Sequence, residues 1–345
     1  MKNNLRIENI NSKKALLRVD FNVSIENGKA KELFKIKAAR ETVDYLLSQN
    51  CKVALCSHLG RPDGKVNAEF SLSQIVNDIQ ESLSKKVKFV DDCIGAKVKE
   101  ALTQLAQEEV LLLENVRFYP GDEANDETFS KRLAENFEVF INDAFSVCHR
   151  DQASVTGVSK ILPSFAGMRL EKEIQEMDKV KNKFEKPAVA VIGGAKIETK
   201  LPVIQAFEKI YDYVLIGGKI ANEAIDQKTP FSQKVLLPTD FIDNRLDIGP
   251  ETVKKYCEII KDAKTIVWNG PMGKFEEEKY AVATQKIFEA IIGSSAYTVV
   301  GGGETLEILE KNQAMDKVNF VSTGGGAMLE YLSGNLMPGI QALNE

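Results

Sequence analysis

The stretch Val189-Ala190-Val191-Ile192-Gly193-Gly194-Ala195-Lys196-Ile197-Glu198-Thr199-Lys200 decides how the chain is read. Four small or β-branched apolar residues predict a buried strand, and two glycines end it. Lys196 and Lys200 then share one face if a helix begins there. A strand that runs into Gly-Gly and a helix start suits an anion. Glycines let backbone N–H groups approach oxygens closely, and the helix dipole favours negative charge. A tight β–α turn with solvated lysines explains the same stretch equally well, so the decision rests on the rest of the chain.

The 345 residues suggest about two domains. A net charge of −5 argues against a general nucleic-acid binder, which carries a basic excess. No run approaches the roughly 18 apolar residues of a membrane span, and the N-terminus lacks the apolar core of a signal peptide. Five cysteines, odd in number and without a Cys-x-x-Cys pair, read as reduced thiols and place the protein in the cytoplasm. That only His58 and His149 are present argues against zinc chemistry, for want of ligands. Arginine is scarce: nine against 36 lysines, and only Arg245 lies beyond residue 170. Planar, bidentate recognition of carboxylate or phosphate is therefore expected in the first half. The second half must hold anions with lysine, backbone amides or a metal.

In the first half, strands are expected over Ala15–Val19, Lys52–Cys56, Val87–Val90, Val110–Leu113 and Glu138–Ile141. All but Val87–Val90 close on polar groups: Asp20-Phe21-Asn22, His58-Leu59-Gly60-Arg61, Asn115-Val116-Arg117 and, after Asn142-Asp143-Ala144-Phe145, His149-Arg150. Polar groups just past buried parallel strands sit where open α/β sheets bind ligands, and a shared anion pocket explains the recurrence better than chance does. One helix is expected over Lys35–Ser48 and another over Ser71–Leu83, with loop from Gly64 to Phe70. Leu162–Gly167 reads as a break and Met168–Phe184 as one connecting helix.

The strand-then-glycine theme returns after Pro187. Strands ending near Ile192, Ile216, Trp268, Val300 and Val321 run into Gly193-Gly194, Gly217-Gly218, Asn269-Gly270-Pro271, Gly301-Gly302-Gly303-Glu304-Thr305 and Gly324-Gly325-Gly326. This alternation implies two doubly wound α/β domains, with parallel sheets of the Rossmann-like kind. Neither Gly-x-Gly-x-x-Gly nor a P-loop occurs, because no Gly-Lys pair precedes Ser or Thr. Separate glycine turns with Lys196, Lys200, Glu276 and Glu304 suit a polyphosphate with Mg²⁺, since a carboxylate near bare phosphate needs a metal between them. Arginines in one half and a nucleotide-phosphate site in the other imply phosphoryl transfer.

These motifs, in this order, resemble phosphoglycerate kinase nearly end to end. Arg18-Val19-Asp20-Phe21-Asn22, Ser57-His58-Leu59-Gly60-Arg61-Pro62 and Leu113-Glu114-Asn115-Val116-Arg117-Phe118 are similar to that family's substrate half. Gly193-Gly194-Ala195-Lys196, Trp268-Asn269-Gly270-Pro271 and Thr323-Gly324-Gly325-Gly326 are similar to its nucleotide half.

The resemblance implies that 1,3-bisphosphoglycerate and ADP interconvert with 3-phosphoglycerate and ATP, with Mg²⁺, in a monomeric, hinge-bending enzyme of glycolysis. Asp20, Phe21, Asn22, Lys35, His58, Leu59, Gly60, Arg61, Arg117 and Arg150 would hold phosphoglycerate, and Arg18, Lys35 and Lys200 would be catalytic. Gly193, Gly194, Lys196, Lys200, Gly217, Gly218, Asn269, Pro271, Glu276, Gly302, Gly303, Glu304 and Thr305 would hold the nucleotide, with Mg²⁺ reaching Glu304 through it. Gly324 and Gly325 would open a helix at the transferred phosphate. The domains would be 1–167 for phosphoglycerate and 187–328 for nucleotide. Residues 168–186 would connect them, and 329–345 would return to the first.

Departures from the family pattern are specific. Lys35 stands for an arginine, Ser146 for a glycine, Gln152 for a histidine, Thr199 for an aspartate, Lys219 for a glycine and Glu304 for an aspartate. The chain is also shorter than the family's usual length, with deletions expected around Ile225–Phe231 and Asp240–Leu246. A nucleotide- or glycerate-binding relative with little or no catalysis is the alternative reading. Retention of Lys200, Arg18, Arg61, Arg117 and Arg150 favours the enzyme.

Overall fold

The computed structural model describes residues 10–344. The chain divides into two compact units. One runs to Glu173 and takes in the residues from Met337 onward, and the other is Ile174–Leu336.

The first unit is built on β1 (Lys14–Arg18), β2 (Lys52–Cys56), β3 (Lys86–Val90), β4 (Glu109–Leu113), β5 (Val139–Asn142) and β6 (Ser164–Ala166). They form one parallel sheet in the order β3-β4-β2-β1-β5-β6. The second unit holds β7 (Ala188–Ile192), β8 (Tyr213–Ile216), β9 (Val235–Leu236), β10 (Thr265–Asn269), β11 (Tyr297–Val300) and β12 (Phe320–Val321), parallel in the order β9-β8-β7-β10-β11-β12. That is the doubly wound order in which the strand sequence reverses between β7 and β10, and ligands bind beyond the strand ends at such a reversal. All five residues of β7 are buried, as a strand covered on both faces requires.

Three local expectations are corrected. The helix expected over Lys35–Ser48 is two, Leu33–Ala38 and Arg40–Ser48, because the Ala39 N–H reaches back to Ile36 O in a tighter turn. The stretch before Val76–Leu83 is wound as short 3₁₀ turns, Ala68–Phe70 and Leu72–Ile75. Ser71 accepts from Ser73 N to cap the second. The break at Leu162–Gly167 contains β6. Pro163 lacks an N–H, but its carbonyl still accepts from Phe140 N (3.0 Å), which an edge strand allows.

The connecting helix Met168–Asn182 is fixed at its start by the first unit. Thr42 Oγ1 accepts from Met168 N (2.9 Å) and Asp143 Oδ1 from Leu170 N (3.1 Å). Gly167 has no room for a Cβ, which would lie 2.2 Å from Asp143 Oδ1. Burial pushes the Asp143 carboxyl up to about 6. Asn142 and Asp143 thus serve the helix start, with Asn142 Oδ1 also accepting from Ala144 N.

Candidate functional site

In the first unit the site grows from three strand ends. At the end of β1, Arg18 is fully buried yet satisfied: Nη1 donates to Val19 O (2.6 Å), Nε to Ser154 Oγ (3.2 Å), and Nη2 faces His58 Nδ1 at 3.1 Å. A guanidinium only donates, so His58 accepts at Nδ1 and carries its proton on Nε2. Burial, then the charges of Arg18, Arg117, Arg150 and Lys35, hold His58 well below the usual imidazole value. It is a neutral hydrogen-bond donor at physiological pH.

Asp20 folds the next turn by accepting from Asn22 N (3.1 Å), an Asx turn. Asn22 Oδ1 accepts from Gly60 N (2.9 Å), which ties the β1 end to the β2 end, and Asn22 O accepts from Lys35 Nζ (2.9 Å). Phe21 and Leu59 are buried in the hydrophobic core.

Arg117 is the least satisfied member. Nη1 donates to Gly60 O (2.9 Å), Nε has the Glu123 carboxylate at 3.4 Å, and the buried Nη2 makes no hydrogen bond. Burial, reinforced by Arg150, lowers its pKa to about 10. Arg150 is lowered too, by burial and then by Arg61. Four arginines, Lys35 and a neutral histidine therefore gather with three acids, Asp20, Asp122 and Glu123, among them. Mutual repulsion of this kind is relieved by a bound anion.

The second unit builds its site from backbone. The turns after β7, β8 and β10 interlock: Gly193 N donates to Asn269 O (2.9 Å), Gly218 N to Met272 O (2.7 Å) and Ile220 N to Gly194 O (3.1 Å). A Cβ on Gly193 would lie 1.9 Å from Pro271 O, and one on Gly270 2.4 Å from Gly193 O. Gly270 also has φ +94°, a shape that suits glycine. The indole of the buried Trp268 donates to Gly270 O (3.0 Å) and steadies that turn.

Asn269 is the hub. Its Oδ1 accepts from Lys200 Nζ, and its Nδ2 donates to Gly301 O (2.8 Å). Around it start three helices whose caps, Lys196, Gly302 and Gly324, offer no side-chain hydrogen bond: Ile197–Ile210, Gly303–Lys311 and Gly325–Ser333. Gly325 packs against Gly302, where a Cβ would lie 2.5 Å from its Cα.

Burial brings Lys200 down to about 8, with Glu304 opposing the shift. Glu304 is raised by burial, Lys200 opposing. Thr305 is fully buried and its hydroxyl accepts from Gly270 N (2.8 Å), so it braces the turn. Lys196 lies exposed at the helix start. Gly194, Gly218, Pro271, Glu276 and Glu304 line one cleft of about 280 Å³.

Reading the sequence missed the braces. Asn115 donates to Leu59 O (2.7 Å) and Phe70 O (2.8 Å) and orients Arg117 by accepting from its N–H (3.1 Å). Its place just past an apolar strand was a usable signal. Ser154, which holds Arg18, lies 136 residues away and gives none.

The chain as a whole has counterparts among known proteins. A family model described as phosphoglycerate kinase matches residues 5–230 and 226–335. Phosphoglycerate kinases from Moorella thermoacetica and Pelotomaculum thermopropionicum are both 38% identical to this chain, over 97% and 99% of each pair. The Moorella alignment needs 382 positions against the 345 residues here, so that relative carries residues this chain lacks. Solved structures named phosphoglycerate kinase match over 99% of this chain and 98% of their own. That from Pyrococcus horikoshii OT3 has a TM-score of 0.88 at 30% identity, and that from Coxiella burnetii 0.82 at 32%. Likeness of sequence and fold over nearly the entire length leads to one conclusion: the chain belongs to the phosphoglycerate kinase family.

Proposed function

We infer that the chain catalyses reversible transfer of the acyl phosphate of 1,3-bisphosphoglycerate to ADP, giving 3-phosphoglycerate and ATP. Membership of the family makes it a phosphotransferase with a carboxyl acceptor, ATP:3-phosphoglycerate 1-phosphotransferase. The observation that carries the assignment of sides is Arg117, a buried guanidinium with Nη2 unbonded amid further cations. A buried donor left unmade is costly, and an anionic substrate supplies its partner.

In this reading residues 1–167 hold phosphoglycerate through Asp20, Asn22, His58 Nε2–H, Arg61, Arg117 and Arg150. Residues 187–328 hold the nucleotide phosphates at Lys200, the glycine turns and the helix starts. When ATP is the donor the acceptor is a carboxylate already ionised at neutral pH, so no general base is needed. Catalysis then comes from positioning and from stabilising charge on the moving phosphoryl group, for which Lys200 and Lys35 are the assigned cations. Arg18 acts here by fixing His58. The two sets lie in different units, so transfer requires closure that brings them together and excludes water.

Mg²⁺ fits as a nucleotide-borne ion. No cluster of three His, Cys, Asp or Glu side chains capable of holding a metal occurs among the described residues. Mg²⁺ characteristically takes one or two carboxylates plus substrate phosphates, and Glu304, beside Lys200, is the carboxylate placed for that. Bound there, it would neutralise phosphate charge during transfer. No helix among the described residues is long and apolar enough to cross a membrane. A monomer working in the cytoplasm is the setting proposed.

Calorimetric titration of the full chain tests the division of labour. Arg117→Ala should weaken 3-phosphoglycerate and spare MgATP, and Lys200→Ala the reverse. Equal loss of both ligands in either variant would contradict the assignment.

A further inference from the structure

Behind the arginines of the first unit lies a carboxylate that the transfer chemistry does not use. Asp122, on the short helix Pro120–Glu123, is fully buried. Its Oδ1 accepts from Ser154 N (2.9 Å), while its buried Oδ2 makes no hydrogen bond. Taking a carboxylate out of water is costly, and one bond from a neutral amide offsets only part of that. Cations nearby supply the rest. Burial lowers Arg117, and Asp122 opposes that shift. Burial also pushes the Cys56 thiol up to about 12, with Arg18 opposing and Asp122 adding, so both charges act at the same strand end.

Ser154 is the next link. It is fully buried in the helical turn Ala153–Gly157, every residue of which is buried. Asp122 fixes its N–H, and its Oγ accepts from Arg18 Nε (3.2 Å). Arg18 Nη1 is taken by Val19 O (2.6 Å), which leaves Nη2 aimed at His58 Nδ1 (3.1 Å). A planar guanidinium with two nitrogens held cannot turn the third away. Among the described residues no hydrogen bond reaches His58 Nε2, so one contact sets the tautomer. A proton on Nδ1 would face donor to donor, and a proton on Nε2 is the form that Arg18 permits.

We propose that Asp122 and Ser154 are positioning residues which, through Arg18, lock His58 in the tautomer that donates from Nε2. The use of that N–H by phosphoglycerate rests on the functional reading above, whereas the lock itself does not.

With two histidines in the chain, long-range ¹H–¹⁵N NMR of the free full-length protein at neutral pH resolves the His58 ring. A single Nε2–H tautomer is expected. Ser154→Ala, which removes one hydroxyl, should give a mixture of tautomers and weaken 3-phosphoglycerate about tenfold in calorimetry, with MgATP unchanged. Asp122→Asn keeps an acceptor for Ser154 N and should keep the single tautomer, and Asp122→Ala should lose it. Should Asp122→Ala fail to fold, Ser154→Ala and Asp122→Asn still decide. An unchanged His58 spectrum in Ser154→Ala overturns the proposal, as does a mixture of tautomers in the unaltered protein or in Asp122→Asn. Equal weakening of 3-phosphoglycerate and MgATP by Ser154→Ala also overturns it, as the mark of general loosening. Mixed tautomers with undiminished 3-phosphoglycerate affinity uphold the lock and count against the functional reading of His58.

Discussion

Arg117 and Gly193 show how differently the two units meet an anion. Arg117 is a long side chain carried into the interior of the first unit, held by Gly60 O and the Asn115 side chain, with Nη2 unbonded. Gly193 has no side chain, and the second unit uses that absence to press three backbone turns together around Asn269. A side-chain site can lose one contact and keep its shape. A backbone site is part of the fold, so damage to it should register as lost stability as well as lost binding.

Lys200 should give the largest effect, because it is the one mobile cation in the backbone site bonded to the Asn269 hub. Lys200→Ala is expected to lower kcat by ~10²–10³-fold with no fall in the urea midpoint at neutral pH, since the buried charge it removes opposes folding. Near-normal turnover would remove it from the transfer step. Gly193→Ala comes next: a Cβ 1.9 Å from Pro271 O forces backbone to move, and we expect a loss of about 3 kcal/mol in urea unfolding. Gly60→Ala is the matched change in the first unit. Its Cβ would meet the Phe70 ring, a side chain that can shift, and φ is +63°, so about 1–2 kcal/mol is expected. Equal losses would erase the contrast between the two units.

Arg117→Lys should raise the KM for 3-phosphoglycerate ~10–100-fold while sparing that for nucleotide, since a charge remains and the fork is lost. The nucleotide side carries a pH signature that the arginine side lacks. Free Lys200 loses its proton near pH 8, and bound phosphate holds that proton on. Nucleotide affinity should therefore fall as pH rises above about 8, by up to about tenfold per unit, with proton uptake on binding measurable in buffers of different ionisation enthalpy. The stability term has the opposite sign. The folded pKa lies below the unfolded value of 10.5, so Lys200 opposes folding in full below pH 8 and that penalty fades as pH rises towards 10.5. Lys35→Arg should be the smallest change. Lys35 makes one hydrogen bond, to Asn22 O, which a guanidinium can also reach, and a change in turnover within about threefold is expected.

The sequence carried the strands and their ends because those signals are local. Apolar runs such as Val110–Leu113 and Val189–Ile192 declare burial, and the residues just past each run lie at the same edge of a parallel sheet. It also carried the contrast between arginine-rich and glycine-rich halves, which is compositional. Partnership over distance escaped it. Nothing near Ser154 says that it holds Arg18, and nothing near Thr305 says that its hydroxyl is taken by Gly270 N. The strand Ser164–Ala166 was hidden by Pro163 and Gly167, which signal a break unless the chain is known to run along a sheet edge. In Val189–Lys200 the expected tight turn is present, but Lys200 is part-buried and bonded to Asn269 rather than solvated. Gly193 is a tight structural turn, and its tightness is the means by which the amides gather near Lys200.

The most direct test of the account is a coupled assay of the purified full chain with 3-phosphoglycerate, Mg²⁺ and either ATP or GTP, monitoring formation of 1,3-bisphosphoglycerate. The account predicts turnover that requires both substrates and is abolished by Lys200→Ala. A folded protein that binds both substrates but shows no turnover with either nucleotide would contradict it.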